Sequence, residues 1–421
     1  MSADKMSAAD KMSAEKLPLF YLPQLDGLRT FAFLFVFLYH SWIIPNVDPH
    51  FHVFGWYNTV VKWGGTGVDL FFVLSGYLIT YLLLKEKLSF GDISFTLYFK
   101  RRMLRIWPLF YLVVLFAAFV VPLFSHRHLQ WNEYSNFLAK IVVPMLFFVG
   151  NYALILYEST LHSISLAANF PLNNVFNPLW SICVEEQFYL TWPLLLKKLK
   201  TAPGMILSIS ILTVVSLLCR YFFQQASMHF DLTNASNLYY YNTLARLDPL
   251  MAGGTVAVTQ LYFSQFWDNL SRYSGLMAII GCLGIISIAL FLPNGNNSPA
   301  VVPIYFAIAL SYGLILVGSL GWEPLKAVLS NRVFTDIGKM TYCMYLIHHP
   351  IIVLCEHAIQ RWTQIPPGPT YWTIKVLSSL AITYIVAKCS WLFIESKTNA
   401  WRKRYARSER ELPTAGVSAT A

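Results

Sequence analysis

Long apolar segments alternate with short polar connections along most of the chain. Each apolar segment is roughly 20 residues long, the length that a helix needs to cross the hydrocarbon core of a bilayer. The pattern therefore predicts an all-α, polytopic membrane helix bundle with about ten transmembrane helices. The predicted spans are residues 27–45, 64–84, 107–124, 179–196, 203–223, 243–262, 274–292, 300–320, 334–354 and 371–394.

Basic side chains are concentrated in three connections, and this orients the predicted helices. The positive-inside rule places these connections, and both chain termini, in the cytoplasm. An even number of crossings must then separate the first basic connection from the second, whereas three apolar segments lie between them. We interpret the segment near 138–157, which contains Pro144, Gly150 and Asn151, as re-entrant or interfacial; eleven spans are the alternative. The basic side chains are Lys85, Lys87, Lys100, Arg101, Arg102 and Arg105, then Lys197, Lys198 and Lys200, and finally Lys397, Arg402, Lys403, Arg404, Arg407 and Arg410.

The composition supports a membrane protein rather than a soluble one. Of the 421 residues, 56% are hydrophobic and 12% are charged, whereas soluble domains carry roughly 25% charged residues. This bias excludes a disordered chain, a coiled coil and a nucleic-acid binder. The six cysteines form no C-x-x-C pair, so neither a disulfide framework nor a metal site is predicted.

Two tails flank the predicted membrane domain at 19–397. Residues 1–18 consist largely of three near-copies of a short polar unit, MSADK, MSAADK and MSAEK. Such a segment cannot bury a core, so we expect a disordered cytoplasmic tail. Residues 398–421 are predicted to form a basic cytoplasmic tail.

Five ionisable side chains lie inside the predicted spans at a similar depth. Burying one there costs about 2.5–3.5 kcal/mol on insertion scales, so such residues indicate function by default. A rise of about 1.5 Å per residue puts all five in one layer on the outer side of the bilayer midplane. The layer predicts a shared site, with chance placement near helix ends as the alternative. The five are His40, Asp69, Glu185, Asp248 and His348.

Two groups of cationic positions suit phosphate binding. Arg29 and His40 are eleven residues apart, close to three helical turns, so a cation and a potential general base share one helix face. Arg101, Arg102 and Arg105 lie on one side of a helical turn. Arginine binds phosphates through two parallel hydrogen bonds, although an ordinary positive-inside cluster is the alternative.

Adjacent carboxylates at Glu185 and Glu186 enter an apolar span beside Gln187. This pair has no simple structural explanation, so we expect one carboxylate to face a polar cavity. Ser181 and Tyr189 lie four residues to either side of Glu185, on its helix face.

Several segments, in order, resemble the membrane acyltransferase-3 family of bacterial and eukaryotic O-acyltransferases. The resemblance runs from about Leu22 to about Lys397, and the ordered set is far more specific than any one segment. The segments are Leu25-Asp26-Gly27-Leu28-Arg29 through His40, 67–78 (GVDLFFVLSGYL), 102–108 (RMLRIWP), 180–189 (WSICVEEQFY), Arg246-Leu247-Asp248 with Gly253, 345–350 (YLIHHP) and Ile394-Glu395.

The resemblance implies an enzyme that transfers an acyl group, usually acetyl from acetyl-CoA, to a hydroxyl of a saccharide or a lipid-linked acceptor. It implies a membrane acyltransferase domain in a bacterial inner membrane, with acyl-CoA as a substrate and no tightly bound cofactor. Arg29 and His40 match the family's essential pair, and Arg102 and Arg105 match its Arg-x-x-Arg motif. Residues 75–78 match its Ser-Gly-Phe-Leu element, with Tyr in place of Phe.

Some family members carry a soluble C-terminal hydrolase-like domain that completes the transfer. This sequence ends soon after its last predicted helix. We therefore expect the reaction to finish within the membrane domain or on another protein.

Acyl transfer needs a grip on the CoA phosphates, a base, and stabilisation of the tetrahedral intermediate. We expect His40 to be the base, because imidazole titrates near neutral pH. Glu185 or Glu186 is expected to orient the imidazole or balance its charge, and a covalent acetyl-histidine stays open. The predicted catalytic set is His40, Asp69, Ser75, Glu185, Glu186 and His348, and the predicted CoA-binding set is Arg29, Arg101, Arg102 and Arg105.

A proton-coupled small-molecule transporter is the alternative function. Buried His, Asp and Glu residues also mark such carriers. The two halves of the chain show no obvious repeat, which many carriers have, and this favours the enzyme.

Overall fold

The computed structural model describes residues 21–41, 61–120, 130–168, 172–229, 235–292, 301–366 and 368–405. Every regular element within these residues is helical, which confirms the all-α prediction. The predicted tail at 1–18 lies outside the described residues, as does the part of the predicted basic tail beyond residue 405.

The helices are numbered in chain order. They are α1 Pro23–Ser41, α2 Gly67–Phe90, α3 Phe95–Leu115, α4 Trp131–Phe137, α5 Val143–Leu146, α6 Gly150–Ala168, α7 Leu172–Phe176, α8 Trp180–Lys198, α9 Ala202–His229, α10 Ala235–Tyr241, α11 Leu247–Tyr262, α12 Ser264–Arg272, α13 Ser274–Phe291, α14 Val301–Gly321, α15 Glu323–Leu329, α16 Arg332–Trp362, α17 Pro369–Ser390 and α18 Ser396–Arg402. Single π-helical segments follow α3 (Phe116–Val120), join α4 to α5 (Leu138–Val142) and join α17 to α18 (Trp391–Glu395). Short 3₁₀ turns cover Trp63–Thr66, Asn177–Leu179, Leu244–Arg246 and Lys403–Tyr405.

Six helical runs within the described residues are long and apolar enough to cross a membrane, judged by length and composition. The other predicted spans fall on α1, α8, α11 and α16. These helices carry most of the polar side chains singled out above, and those side chains lower their hydropathy; α11 is also only 16 residues long. The prediction of about ten spans therefore remains a prediction. The six runs are Trp63–Phe90, Phe95–Val120, Ala202–Ala226, Ser274–Phe291, Val301–Gly321 and Pro369–Arg402.

The segment near 138–157 is interrupted in its middle. A turn separates α5 from α6, and Phe148 in this turn has a positive φ of 54°. Gly150 begins α6 in contact with the Met145 side chain, which occupies the space that a Cβ would need. The turn interrupts the segment, and whether it is re-entrant or interfacial stays a prediction.

Glycines bring several pairs of helices into backbone contact, and two of these contacts matter for the site. At Gly76 and Gly253, α2 and α11 approach so closely that a Cβ on either would collide with the other helix's backbone. At Gly338, α16 meets the backbone of Asp26 in α1. Small residues allow such approach in membrane bundles, where dispersion contacts replace the hydrophobic effect. The second contact holds the helix of His40 against the helix of His348.

A Gly253→Ala substitution should destabilise the bundle by about 1–3 kcal/mol, because the new methyl group overpacks the backbone of α2. The comparison is with Gly313→Ala in α14, where the nearest atom to the new Cβ is 3.8 Å away on Ala252. Thermal unfolding of the two purified variants in detergent measures the difference. Equal melting temperatures would show that the α2–α11 contact can relax freely.

Candidate functional site

Three cavities follow one another through the helix bundle. The basic basin, of about 620 Å³, has cationic side chains around it. The neck, of about 90 Å³, lies next to it. The aromatic basin, of about 310 Å³, is lined by His40 and several aromatic rings. The basic basin and the neck share Arg29, Leu78, Arg102, Arg105 and Tyr342, and the neck and the aromatic basin share Val68 and Tyr345.

The predicted CoA-binding arginines all line the basic basin, but their surroundings differ. Arg29 forms an ion pair with Asp26 at 2.5 Å. Arg101 pairs with Glu86 at 3.1 Å and also donates to the Tyr405 carbonyl oxygen at 2.8 Å.

Arg102 and Arg105 have no carboxylate oxygen within 4.0 Å among the described residues. The Arg102 guanidinium instead lies over the rings of Tyr98 and Tyr189, at 6.0 and 5.2 Å from their centroids. The basin therefore keeps an excess of positive charge and suits an anionic ligand. At its rim, burial and the nearby Asp26 carboxylate raise the pKa of Tyr21 to about 12.

A hydrogen-bonded triad fills one wall of the neck. Ser75 donates to one oxygen of Glu185 at 2.8 Å, and the Tyr189 hydroxyl donates to the other at 2.8 Å. The two hydroxyl groups are 3.0 Å apart. Nearby, the hydroxyls of Ser181 and Tyr345 are 2.8 Å apart. The predicted placement of Ser181 and Tyr189 beside Glu185 thus corresponds to the structure.

The two adjacent glutamates point in different directions. Glu185 lines the neck, whereas Glu186 accepts a hydrogen bond from the Trp107 indole of α3 at 3.1 Å and lines none of the three cavities. The second oxygen of Glu186 is buried and has no partner among the described residues. Of the pair, Glu185 is the carboxylate that faces a polar cavity.

The histidines form a chain whose proton positions follow from the acceptors. The Nδ1 atom of His348 lies 2.7 Å from the Tyr345 carbonyl oxygen, which can only accept, so Nδ1 carries a proton. With both rings neutral, His348 Nε2 must then accept, and its neighbour at 2.8 Å is His40 Nδ1. His40 Nδ1 is therefore the donor, and His40 Nε2 carries a lone pair that accepts no hydrogen bond from the described residues. This assignment comes from the hydrogen-bond network.

The hydrogen-bond partner of the His40 imidazole is His348 and neither Glu185 nor Glu186, which corrects the expectation that one of these glutamates orients the ring; that one of them balances its charge stays a prediction. Both hydrogen-bonding oxygens of Glu185 are engaged by Ser75 and Tyr189, and Glu186 faces Trp107. One face of the His40 ring stacks on His349, with centroids 4.2 Å apart and planes at 16°.

The predicted layer of five ionisable residues divides into separate sites. Asp69 pairs with Arg246 at 2.8 Å, and Asp248 pairs with Arg220 at 2.6 Å; all four side chains are at most 1% exposed. Neither aspartate lines any of the three cavities. The Arg246 guanidinium also lies 4.9–5.6 Å from the rings of aromatic-basin residues, namely Trp180, Tyr240 and Tyr305.

Four residues near these sites were not predicted as functional. Arg220 and Arg246 carry a signal in the sequence, because an acid inside a span requires a buried counter-charge. His349 adjoins His348, but only the packing of α1 on α16 places its ring on His40. Arg402 was assigned to the basic tail, whereas residues 398–405 contribute a helix and a turn, and Arg402 lines the basic basin.

Comparisons with known proteins agree with one another. A family model described as an acyltransferase domain matches residues 22–388. The peptidoglycan O-acetyltransferase OatA of Listeria monocytogenes is 29% identical over 383 residues, which are 89% of this chain and 55% of that protein. The O-acetyltransferase OatA of Staphylococcus aureus is 30% identical over 387 residues, 89% of this chain and 57% of that protein.

The putative peptidoglycan O-acetyltransferase YrhL of Bacillus subtilis is 28% identical over 391 residues, 89% of this chain and 54% of that protein. The chain thus spans about half the length of the curated relatives that it matches. No solved structure matches the chain.

Replacing Asp69 by Asn should destabilise the protein by about 3–5 kcal/mol, because it leaves the Arg246 charge buried without its partner. A second change, Arg246→Met, should restore much of the loss, since it removes the uncompensated charge. Unfolding free energies of the single and double variants in detergent test this.

The control is the exposed pair of Lys197 and Asp92, whose side chains are 45% and 56% exposed. An Asp92→Asn change should cost less than about 1 kcal/mol. An Asp69→Asn protein of unchanged stability that lacks activity would instead support the prediction that Asp69 is catalytic.

Proposed function

The chain belongs to the acyltransferase family whose model matches residues 22–388, and we propose on this basis that it is an integral membrane O-acyltransferase. It moves an acetyl group from acetyl-CoA in the cytoplasm to a hydroxyl of a saccharide on the outer side of a bacterial inner membrane. The relatives named as peptidoglycan O-acetyltransferases support peptidoglycan, or a precursor of it, as the acceptor. Family membership favours this function over the transporter alternative.

The observation that carries the proposal is the order of the three cavities. One basin is lined by several arginines, of which Arg102 and Arg105 have no carboxylate oxygen within 4.0 Å among the described residues, and His40, with its unprotonated Nε2, lines the other. A narrow neck with hydroxyl groups on its wall lies between them. A cofactor with phosphates at one end and a thin arm ending in a thioester has the shape that this arrangement accommodates.

The basic basin is proposed to face the cytoplasm, where acyl-CoA is made and where the positive-inside rule places the Arg101–Arg105 cluster. Both chain termini then lie on that side. Arg102 and Arg105 bind CoA phosphates, Arg29 contributes while paired with Asp26, and Arg101 is engaged mainly by Glu86. The pantetheine arm enters the neck, and the acceptor enters the aromatic basin.

In the transfer step, His40 Nε2 removes the proton from the acceptor hydroxyl as its oxygen attacks the thioester carbonyl carbon. A carbon–oxygen bond forms, the carbon–sulfur bond breaks, and the CoA thiolate leaves with the electron pair. The proton on His40 then passes to the thiolate or to solvent. Of the three candidate donors, Tyr345, which lines both the neck and the aromatic basin, donates to the oxyanion, because Ser75 and Tyr189 already donate their single hydroxyl protons to Glu185. The same lone pair serves as a nucleophile if an acetyl-histidine forms.

Substituting His40 by Ala should lower acetyl transfer by about 10²–10⁴-fold, the usual contribution of a general base, while CoA binding persists. Purified protein in liposomes is supplied with radiolabelled acetyl-CoA and a peptidoglycan fragment, and labelled saccharide is measured. The matched control is His162→Ala, since His162 is an exposed histidine of α6. Retained activity in the His40 variant would remove His40 from the mechanism.

The hydrogen bond from His40 to His348 predicts that two substitutions of His348 lower the activity to different extents. A His348→Leu variant should lose about 10–100-fold in activity, because the tautomer and orientation of His40 are no longer imposed. A His348→Gln variant retains an acceptor oxygen and should keep a larger fraction of the activity. Imidazole ¹⁵N resonances of labelled protein report the tautomer of His40 in each variant. Equal activity of the two variants, with the same tautomer, would contradict this role of His348.

A further inference from the structure

Arg402 lines the basic basin at a different position from Arg29, Arg102 and Arg105. Arg29, Arg102 and Arg105 line both the basin and the neck, whereas Arg402 lines the basin alone. It is contributed by α18, beyond the region 22–388 that the family model matches. Its side chain therefore lies farther from the neck than those of the other three.

Arg402 is also a cation without a counter-ion. No carboxylate oxygen lies within 4.0 Å of it among the described residues, and its Nε is buried with no hydrogen-bond partner there. The other cations that line the basin but not the neck are paired, Arg101 with Glu86 and Lys339 with Asp336. A buried donor without a partner is costly, so an anionic ligand would stabilise this position.

The position of Arg402 is held by contacts of the segment that follows it. The Arg101 guanidinium donates to the Tyr405 carbonyl oxygen at 2.8 Å, and the Lys100 ammonium lies 5.4 Å from the centre of the Tyr405 ring. These contacts fasten the end of the described chain to α3. Arg101 is thus a positioning residue for α18. This role explains why the basin contains an arginine whose charge is already neutralised by Glu86.

CoA carries phosphates at two different distances from its thiol, which suits arginines next to the neck and an arginine farther from it. In CoA the pantetheine arm joins a diphosphate, and the ribose beyond the diphosphate carries a separate 3′-phosphate. With the arm in the neck, the diphosphate lies beside the arginines that line both cavities. We propose that Arg402 binds the 3′-phosphate and so makes the enzyme selective for CoA over 3′-dephospho-CoA. This inference rests on the proposed function, because it requires that CoA occupy the basic basin.

The test compares the affinities of CoA and 3′-dephospho-CoA for the purified full chain by titration calorimetry. Wild-type protein should bind CoA about 10–100-fold more tightly, the usual effect of one charge-assisted contact. An Arg402→Gln variant should lose most of this ratio by weakening CoA alone, and Arg402→Lys should keep part of it. In acetyl transfer, the KM for acetyl-CoA should rise while kcat stays near the wild-type value.

Arg404→Gln is the matched control, because Arg404 is an exposed arginine of the same segment and does not line the basin. It should leave the ratio unchanged. If Arg402 only held α18 in place or bound a lipid phosphate, Arg402→Gln would weaken both nucleotides equally or neither, and either result overturns the inference. Absence of CoA binding in the wild-type protein would instead overturn the proposed function.

Discussion

A charge buried in an apolar helix bundle must have a counter-charge, and this requirement organises the protein. Asp69 and Asp248 meet it through Arg246 and Arg220. The first pair joins α2 to the turn before α11 and the second joins α9 to α11, at positions that water does not reach. Breaking one member of such a pair costs far more than the pair contributes. The basic basin departs from the rule, since Arg102, Arg105 and Arg402 have no carboxylate oxygen within 4.0 Å in the described part of the chain. A cluster of cations that the fold leaves unneutralised indicates an anionic ligand.

Close helix packing makes the second half of the site. His40 and His348 are 308 residues apart in the chain, and their rings meet because Gly338 lets α16 approach the backbone of α1. The hydrogen bond between them then determines which nitrogen of His40 is free. The backbone carbonyl of Tyr345 determines which ring nitrogens carry protons, because a carbonyl cannot donate a hydrogen bond. The reactivity proposed for the first helix therefore depends on a glycine and a carbonyl in another helix.

Several predictions about the site were limited by what a linear pattern can express. The spacing around Glu185 correctly placed Ser181 and Tyr189 on its face, because helix periodicity is local. The same reasoning could not separate Glu185 from Glu186, which differ only in the neighbour that each side chain meets. Depth along a span grouped Asp69 with His40, but two residues at one depth can face opposite sides of a bundle. Arg101 looked equivalent to Arg102, yet its partners Glu86 and Tyr405 belong to other elements.

The sequence by itself determined the helical class, the apolar character of the bundle, the family and several of the polar residues that line the cavities. Hydropathy and helical periodicity involve residues within a few turns of one another, so they can be recognised in the linear sequence. Only the tertiary structure decided which residues share a cavity, which acids are neutralised, the tautomer of His40 and the contribution of Arg402. Each of these depends on atoms brought within a few ångströms by packing between distant helices, and no local pattern encodes that distance.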